Sequence, residues 1–372
     1  MAGEQAVLRA LADVGAEPGA LATVVHVDGS AYRREGAQML ILPGPADAPH
    51  TVGLLSGGCL EDDVTGHARD ILRGGAPQLL RYDLRADGDD LWGLGLGCNG
   101  VVDVLVQSLV PGPLPYAAAA RWQLDGHDVL VATVTEAEGE NVPPPGAQIA
   151  IRAGGEAVGG LGEPHLDAVA LAAASEDLPS HDDWLELPGR GRVRVFFDHC
   201  RAPASLVIFG AGADVPPVVA AAARVGLRVF VVDHRRALLT AERLAGAERL
   251  LPVRPEDLGS GLSGVPMHAA LVMTHNFQSD EHILRHLAGR SLRYLGVLGP
   301  AARTERLLRR AEIAAPPAGL YGPVGLDIGA ANPEEIALSI VAEALAVLHG
   351  RRGGHLKDVA GPIHATATAL PR

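Results

Sequence analysis

The sequence predicts an α/β chain in two parts: an N-terminal α+β, strand-rich domain over residues 1–192, then a C-terminal Rossmann-like doubly wound parallel sheet over 193–372. Three observations lead there. Glycine turns separate short β-branched runs through the first 110 residues. From Ser205 onward, continuous apolar strands alternate with helical periodicity, the rhythm of stacked βαβ units. A chain of 372 residues also exceeds what one hydrophobic core usually holds.

Taken in order, LATVVHV (21–27), AQMLIL (37–42) and TVGLLS (51–56) are strand candidates bounded by DGS, PGP and SGG. After Gly58, Leu60, Val64, Ala68, Ile71 and Leu72 recur at helical spacing until Gly74-Gly75 stops the pattern. LLRYDL (79–84) and VVDVLVQSL (101–109) return to strand around the glycine-rich GLGLGCNG. VLVATV and AQIAIR flank a proline-rich turn, NVPPPG. Residues 160–192 read as mixed, with the inter-domain linker toward their end, and no repeat of solenoid length is visible. SLVIF, the helix after GAGAD and LRVFVVD then form one βαβ unit. AALVMTH, EHILRHLAG, RYLGVLG and ARTERLLRRAEI continue the alternation. PEEIALSIVAEALAVLHG closes it, with proline in the first helical turn and early glutamates that suit the helix dipole.

Composition excludes several function classes. A formal charge of −13 and 3% aromatics disfavour a nucleic-acid surface, which needs clustered cations and stacking platforms. Apolar runs stop well short of the roughly 18 residues of a membrane span. The amphipathic, acid-bearing start MAGEQAVLRALADVG lacks a secretory core, and three cysteines are too few for a disulfide framework, so a reducing, cytoplasmic setting is expected. The apolar surplus and the wide stripe of the last helix lead to the expectation of a homodimer.

Several residues carry chemistry. Gly210 and Gly212 follow an apolar strand, and Asp233 ends the next one, the arrangement that brings a diphosphate to a helix N-terminus and a ribose to the acid. Val215 replaces the usual third glycine and Pro216-Pro217 follow, so the loop fits either a nucleotide site or a topology kept without its ligand. Thr274, His275 and Asp280 lie just after a strand, at the edge where open α/β sheets hold ligands; the seven-residue spacing of His275 and His282 is not that of a tight chelate. Arg303 and Thr304 follow LGPAA as a phosphate contact or a helix cap. Ser30, Arg33 and Arg34 occupy a turn, where arginines hold a phosphate or carboxylate or simply face solvent. Cys59 opens a helix behind Gly57 and Gly58, while Cys98 sits in LGCNG. The helix terminus favours a thiolate and Glu61, Asp62 and Asp63 oppose it, so a reactive thiol and a buried filler both remain open.

GSAYRREGAQML, SGGCLED, GLGLGCNG, VIFGAGAD, FVVDHR, MTHNFQSD, YLGVLGP and GPVGLDIGAANPEEIALSIVAEALA occur in the order found in the XdhC/CoxI family of molybdoenzyme accessory proteins, which the chain resembles over nearly its whole length. Where many relatives carry GAGH, this chain reads GAGA followed by Asp214. The resemblance implies a cysteine-bearing N-terminal domain before a Rossmann domain. It also implies a chaperone that binds molybdenum cofactor (molybdopterin), supports its sulfuration and delivers it to an apo-molybdoenzyme of the xanthine dehydrogenase type. A cysteine desulfurase would be a second partner, and no turnover is required. On this reading Cys59 and Cys98 converge on one pocket as ligands of a soft metal or of the cofactor, with Glu61 and Asp62 in proton transfer or capping and Cys200 dispensable. The other readings are an NAD(P)-dependent oxidoreductase built on Gly210, Gly212 and Asp233, and a scaffold that docks a sulfurase to its client.

Overall fold

The computed structural model describes residues 4–14, 19–44, 49–85, 100–109, 115–176 and 178–359. The chain divides into two units, Met1–Ala202 and Pro203–Arg372. The division falls later than the expected 192/193 because the strand Gly191–Cys200 pairs along its whole length with its antiparallel neighbour and so belongs to the first unit.

The first unit is a duplication. Its first half runs α1 (Glu4–Ala12), β1 (Gly19–Gly29), β2 (Gln38–Leu42), β3 (His50–Gly53), α2 (Glu61–Leu72), β4 (Gln78–Asp83) and β5 (Gly100–Leu109). Its second half runs α3 (Pro115–Leu124), β6 (Val129–Gly139), β7 (Gln148–Arg152), β8 (Ala157–Gly160), α4 (Pro164–Ala173), β9 (His181–Leu187) and β10 (Gly191–Cys200). Both halves form antiparallel sheets of matching order, β3-β2-β1-β5-β4 and β8-β7-β6-β10-β9. Residues 160–192, read as mixed with the linker toward their end, supply a helix, a strand and the start of another. The helix α3 and strand β8 escape the sequence reading; YAAAARW is apolar nearly all round, so it carries no stripe to betray a helix.

The correspondence reaches individual bonds. Val24 N–H donates to Ala37 O (2.9 Å) and Gly36 N–H to Val24 O (2.9 Å); Val134 N–H donates to Ala147 O (2.9 Å) and Gly146 N–H to Val134 O (2.8 Å). Thr23 pairs with Gln38 as Thr133 pairs with Gln148. Each half has one sheet face under its own helix: Leu60, Val64, Ala68 and Ile71 seal the first, Leu166 and Ala170 the second. The other faces share a core in which Leu21, Leu40 and Leu109 meet Val129, Val131 and Ala150, with α1 and α3 packed together. Neither half can bury its second face without the other.

The second unit is a six-stranded parallel sheet ordered β13-β12-β11-β14-β15-β16. Its elements are β11 (Ser205–Phe209), α5 (Val215–Arg224), β12 (Arg228–Val232), β13 (Ala247–Leu251), α6 (Leu258–Gly261), β14 (Ala269–Val272), α7 (Phe277–Leu287), β15 (Tyr294–Val297), α8 (Ala301–Arg310), β16 (Leu320–Tyr321) and α9 (Pro333–Leu348). Helices α5 and α9 cover one face, α6, α7 and α8 the other, and the strand order reverses between β11 and β14, the switch point where such sheets hold ligands. A capping box starts α9: Asn332 Oδ1 accepts from Glu335 N–H (2.9 Å) and Glu335 Oε2 from Asn332 N–H (3.3 Å). No helix among the described residues is long and apolar enough to cross a membrane.

The duplicated unit can be tested at two points. At Gly53 (φ +99°) an added Cβ would stand 2.3 Å from Gln38 O, and at Gly159 (φ +89°) 2.3 Å from Gln148 O. Alanine at either position is expected to cost about 2–4 kcal/mol, from left-handed strain plus overlap, read as a lower urea midpoint in circular dichroism; a loss under about 0.5 kcal/mol at either would contradict the geometry. The second point is Asp198, 4% exposed, whose Oδ1 accepts from Ser180 Oγ at 3.0 Å and lies 2.7 Å from the Cβ position of Gly36. Burial pushes its carboxyl up to about 6 against Ser180 and Cys200. A folded pKa above the unfolded value stabilises at low pH and is lost as pH rises through about 6. Between pH 4 and 7, wild type should therefore lose about 2 kcal/mol relative to Asp198→Asn. Equal pH profiles in denaturant titration would contradict it.

Candidate functional site

At one end of the first sheet meet the end of β1, the start of β2, the exit of β3 and the first residue of β5. The exit of β3 is LLSGGCLE, and its shape is set by two side chains. Ser56 Oγ accepts from the N–H groups of Gly58 (3.2 Å), Cys59 (3.1 Å) and Leu60 (3.2 Å), and donates to Glu61 Oε2 (2.5 Å). Glu61 Oε1 accepts from Leu55 N–H (3.1 Å) and Ser56 N–H (2.8 Å), while Oε2 also accepts from Leu60 N–H (3.1 Å). Burial alone would raise the Glu61 pKa, but the Ser56 hydroxyl and the backbone donors outweigh it and hold the carboxyl below its usual range. A carboxylate so fully occupied braces the turn.

Among the described residues, the front of the turn is open: Gly58 has φ +111° and no described atom beyond its chain neighbours within 4 Å of its Cβ position, and the nearest to that of Gly57 is Tyr32 Cδ2 at 3.9 Å. Tyr32 is 61% exposed at the tip of the β1–β2 connection, and Cys59 is half-buried beside the two glycines. Ser30 is exposed, and its backbone closes on Gly100, whose Cβ position lies 2.8 Å from Ser30 O. Arg33 turns to Glu4 Oε1 of α1 (2.8 Å) and Arg34 to the adjacent Glu35 Oε2 (3.3 Å). Asp62 is exposed, and Asp63 accepts from Tyr82 OH at 2.7 Å. Cys98 lies outside the described residues. Cys200 bonds to Asp198; burial first, then that carboxylate, push its thiol well above the usual range.

The second half provides an internal comparison. Leu161 N–H donates to Asp167 Oδ1 (2.7 Å) as Leu55 N–H donates to Glu61, so the brace survives in part. Gly162, Glu163, Pro164 and His165 then stand where Ser56, Gly57, Gly58 and Cys59 stand in the first half. Arg190 Nη1 ties the end together, donating to Glu163 Oε1 (2.6 Å) and Asn141 O (3.2 Å), while Glu140 N–H donates to Arg190 O (3.0 Å). The β9–β10 connection is residues 188–190, against 84–99 between β4 and β5. Among the described residues, an ion pair ties one end of the duplicated unit, and its counterpart presents a serine, two glycines, a thiol and a tyrosine.

In the second unit, Gly210 (φ +122°) lets the chain cross β14, its Cβ position being 2.5 Å from Met273 O. The Gly212 cradle is filled: Asp214 Oδ1 lies 2.7 Å from that Cβ position, and Asp214 Oδ2 is 2.8 Å from His275 Nε2, with His275 at φ +58°. Pro216 and Pro217 remove two backbone donors from the start of α5. A diphosphate approaching there meets a carboxylate and fewer N–H groups than usual. Asp280, 1% exposed, accepts from Thr274 Oγ1 (2.5 Å) and from Arg303 Nη2 (2.7 Å), linking the end of β14 to α8. Asp233 is fully engaged: Oδ2 accepts from Ala211 N–H (2.8 Å) and Arg235 Nη2 (2.7 Å), Oδ1 from Arg235 N–H (2.8 Å) and Nε (3.0 Å). Burial raises its pKa, yet these bonds prevail and lower it. Beside it, a cavity of about 220 Å³ has apolar walls from Phe209, Val232, Val253, Pro255, Leu258 and Ile283, with His234, Arg235, Thr274 and Ser279 at its polar side. Among the described residues, no group of three or more His, Cys, Asp or Glu side chains is placed to hold a metal.

Sequence reasoning misses Tyr32, Ser56 and Arg235, which matter to these arrangements. Tyr32 stands inside GSAYRREG and Arg235 inside FVVDHR, but nothing local marks an exposed ring or a guanidinium that returns to its own neighbour.

Comparison with known proteins agrees with this architecture. A profile of the XdhC Rossmann domain matches residues 206–344, and one of the XdhC and CoxI family matches residues 15–83 and 122–182, one stretch in each half of the duplicated unit. The chain is 34% identical over 329 residues to a Bacillus subtilis (strain 168) protein named as a probable subunit of xanthine dehydrogenase, covering 88% of this chain and 93% of that one. It is 27% identical over 267 residues to the uncharacterized protein YqeB of Escherichia coli (strain K12), covering 66% of this chain and 48% of that protein. A crystal structure described as a xanthine dehydrogenase from Bacillus halodurans superposes with a TM-score of 0.75 at 32% identity, over 94% of this chain and 97% of that one. With both units matched and a one-third identity sustained along most of its length, the chain belongs to the XdhC and CoxI family.

Proposed function

We propose that this protein serves the maturation of a xanthine dehydrogenase-type molybdoenzyme, by holding molybdenum cofactor at the open end of its first half and passing it to the apoenzyme. Support for a xanthine dehydrogenase connection comes from the names of the Bacillus relatives. The observation that carries the site is the asymmetry of the duplicated unit. Among the described residues, Arg190 and Glu163 pair across one of the equivalent loops, and Gly57 and Gly58 stand beside Cys59 in the other.

The residues fit the cargo chemically. A dithiolene-bound molybdenum is a soft centre, for which a thiolate is the matching donor. Gly57 and Gly58 let a bulky tricyclic pterin reach the backbone, and the exposed Tyr32 ring offers it a flat apolar face. The Ser56–Glu61 brace keeps the thiol in place when the cargo leaves, so release does not require refolding of the turn. Cys98 is proposed as the second thiol of the same pocket. Exchange of an oxo for a sulfido ligand at the held cofactor would bring in a cysteine desulfurase as partner, and a homodimer in the cytoplasm is the proposed setting. An NAD(P)-dependent oxidoreductase would rely on the Gly212 loop, and Asp214 over that loop with two prolines behind it stands against the reading.

Loading the purified protein with molybdenum cofactor and measuring retained molybdenum and pterin after gel filtration tests this. Cys59→Ser is expected to lower retention at least tenfold with an unchanged circular dichroism spectrum, and Tyr32→Ala to lower it several-fold. His165→Ala and Cys200→Ser should retain cofactor like wild type. Full retention by Cys59→Ser would remove the proposed pocket.

A further inference from the structure

Beyond the cofactor reading, and independent of it, the cavity of the Rossmann unit has a chemistry of its own. In a dinucleotide-binding Rossmann fold, the acid at the end of the second strand offers free oxygens to the 2′- and 3′-hydroxyls of an adenosine ribose. Here that acid is Asp233, its side chain only 3% exposed, with both oxygens taken by Ala211 N–H and by the backbone and guanidinium of Arg235. A ribose diol arriving there finds no acceptor.

What it finds instead is the Arg235 guanidinium, ion-paired to Asp233. The Arg235 side chain is 44% exposed, lines the cavity, and holds Asp233 through Nε and one Nη2 hydrogen, which leaves Nη1 and the other Nη2 hydrogen for a ligand. His234, 51% exposed, lines the same cavity. The paired carboxylate fixes the guanidinium plane, so a phosphate meets a pre-oriented fork at little entropic cost. Val232, Val253, Pro255 and Leu258 supply an apolar slot beside it, at the carboxyl ends of β12 and β13, where a purine base sits in this fold. At the far end, the Asp214 carboxylate over Gly212 opposes a phosphate on the 5′ side.

We infer that the Rossmann cavity binds a purine nucleoside through a phosphate on the 2′ position of its ribose, held by Arg235 and His234, and discriminates against 2′-hydroxyl nucleotides. The recognition inverts the usual arrangement: the anion is read at the ribose edge and repelled at the glycine loop.

Titration calorimetry of the full chain with adenosine, 5′-AMP and 2′-AMP decides it. 2′-AMP is expected to bind at least tenfold more tightly than the other two, and Arg235→Ala to abolish the difference. Arg235→Lys, which keeps a charge beside buried Asp233 but loses the fork, should retain only part of it and covers the case in which the alanine variant does not fold. Equal or tighter binding of 5′-AMP, binding of none of the three, or an unchanged preference in the Arg235 variants would overturn the inference.

Discussion

The Glu61 carboxylate is the constraint on which the proposed site depends. It stands at the first position of α2 and takes four donors from the six residues before it, counting the Ser56 hydroxyl. Ser56 in turn gathers three N–H groups that a helix start would otherwise leave to water or to an anion. With these donors satisfied from within, the turn is held in one shape, with Gly58 exposed and Cys59 half-buried beside it. Loss of either side chain would leave buried N–H groups unpaired, at about 1–3 kcal/mol each, and let the thiol wander.

The duplication explains how such a turn can be tolerated. The two halves share the core where Leu21 and Leu109 meet Val129 and Ala150, so each is scaffold for the other. Reciprocal contacts mark the relation: Gly36 closes on Asp198 in the second half, and Gly146 approaches Gln107 in the first. Arg190 and Glu163 tie one end together, and on the proposed function the other end carries the chemistry. In the Rossmann unit, Gly210 lets the chain pass close to Met273 and Asp280 links Thr274 to Arg303, while Arg235 lines the cavity.

Much of this is legible in the sequence, and the failures have physical causes. The strands of both units show because buried β-branched runs differ in period from the helices between them, and α9 shows because its proline, glutamates and asparagine follow capping rules. Strand β13, AERLL, escapes because edge position leaves it polar on one side and short. The duplication escapes because the halves share few identities beyond ATV, the glycines and GAQ, which surface only when registers can be compared. SGGC is conspicuous through its glycines, yet the role of Glu61 stays ambiguous, since sequence gives adjacency and not the direction in which a carboxylate folds. Asp233 illustrates the converse: its spacing after Gly210 is that of a ribose-binding acid, and Arg235, two residues on, takes its oxygens.

The central claim is that the two ends of the duplicated unit differ in function, one a cofactor site and the other a seal. Anomalous diffraction at the molybdenum edge, from crystals of the protein loaded with cofactor, tests it most directly. The account predicts one molybdenum position per chain, in contact with the turn 56–60. A molybdenum position beside His165 and Glu163, or one confined to the Rossmann unit, would contradict it.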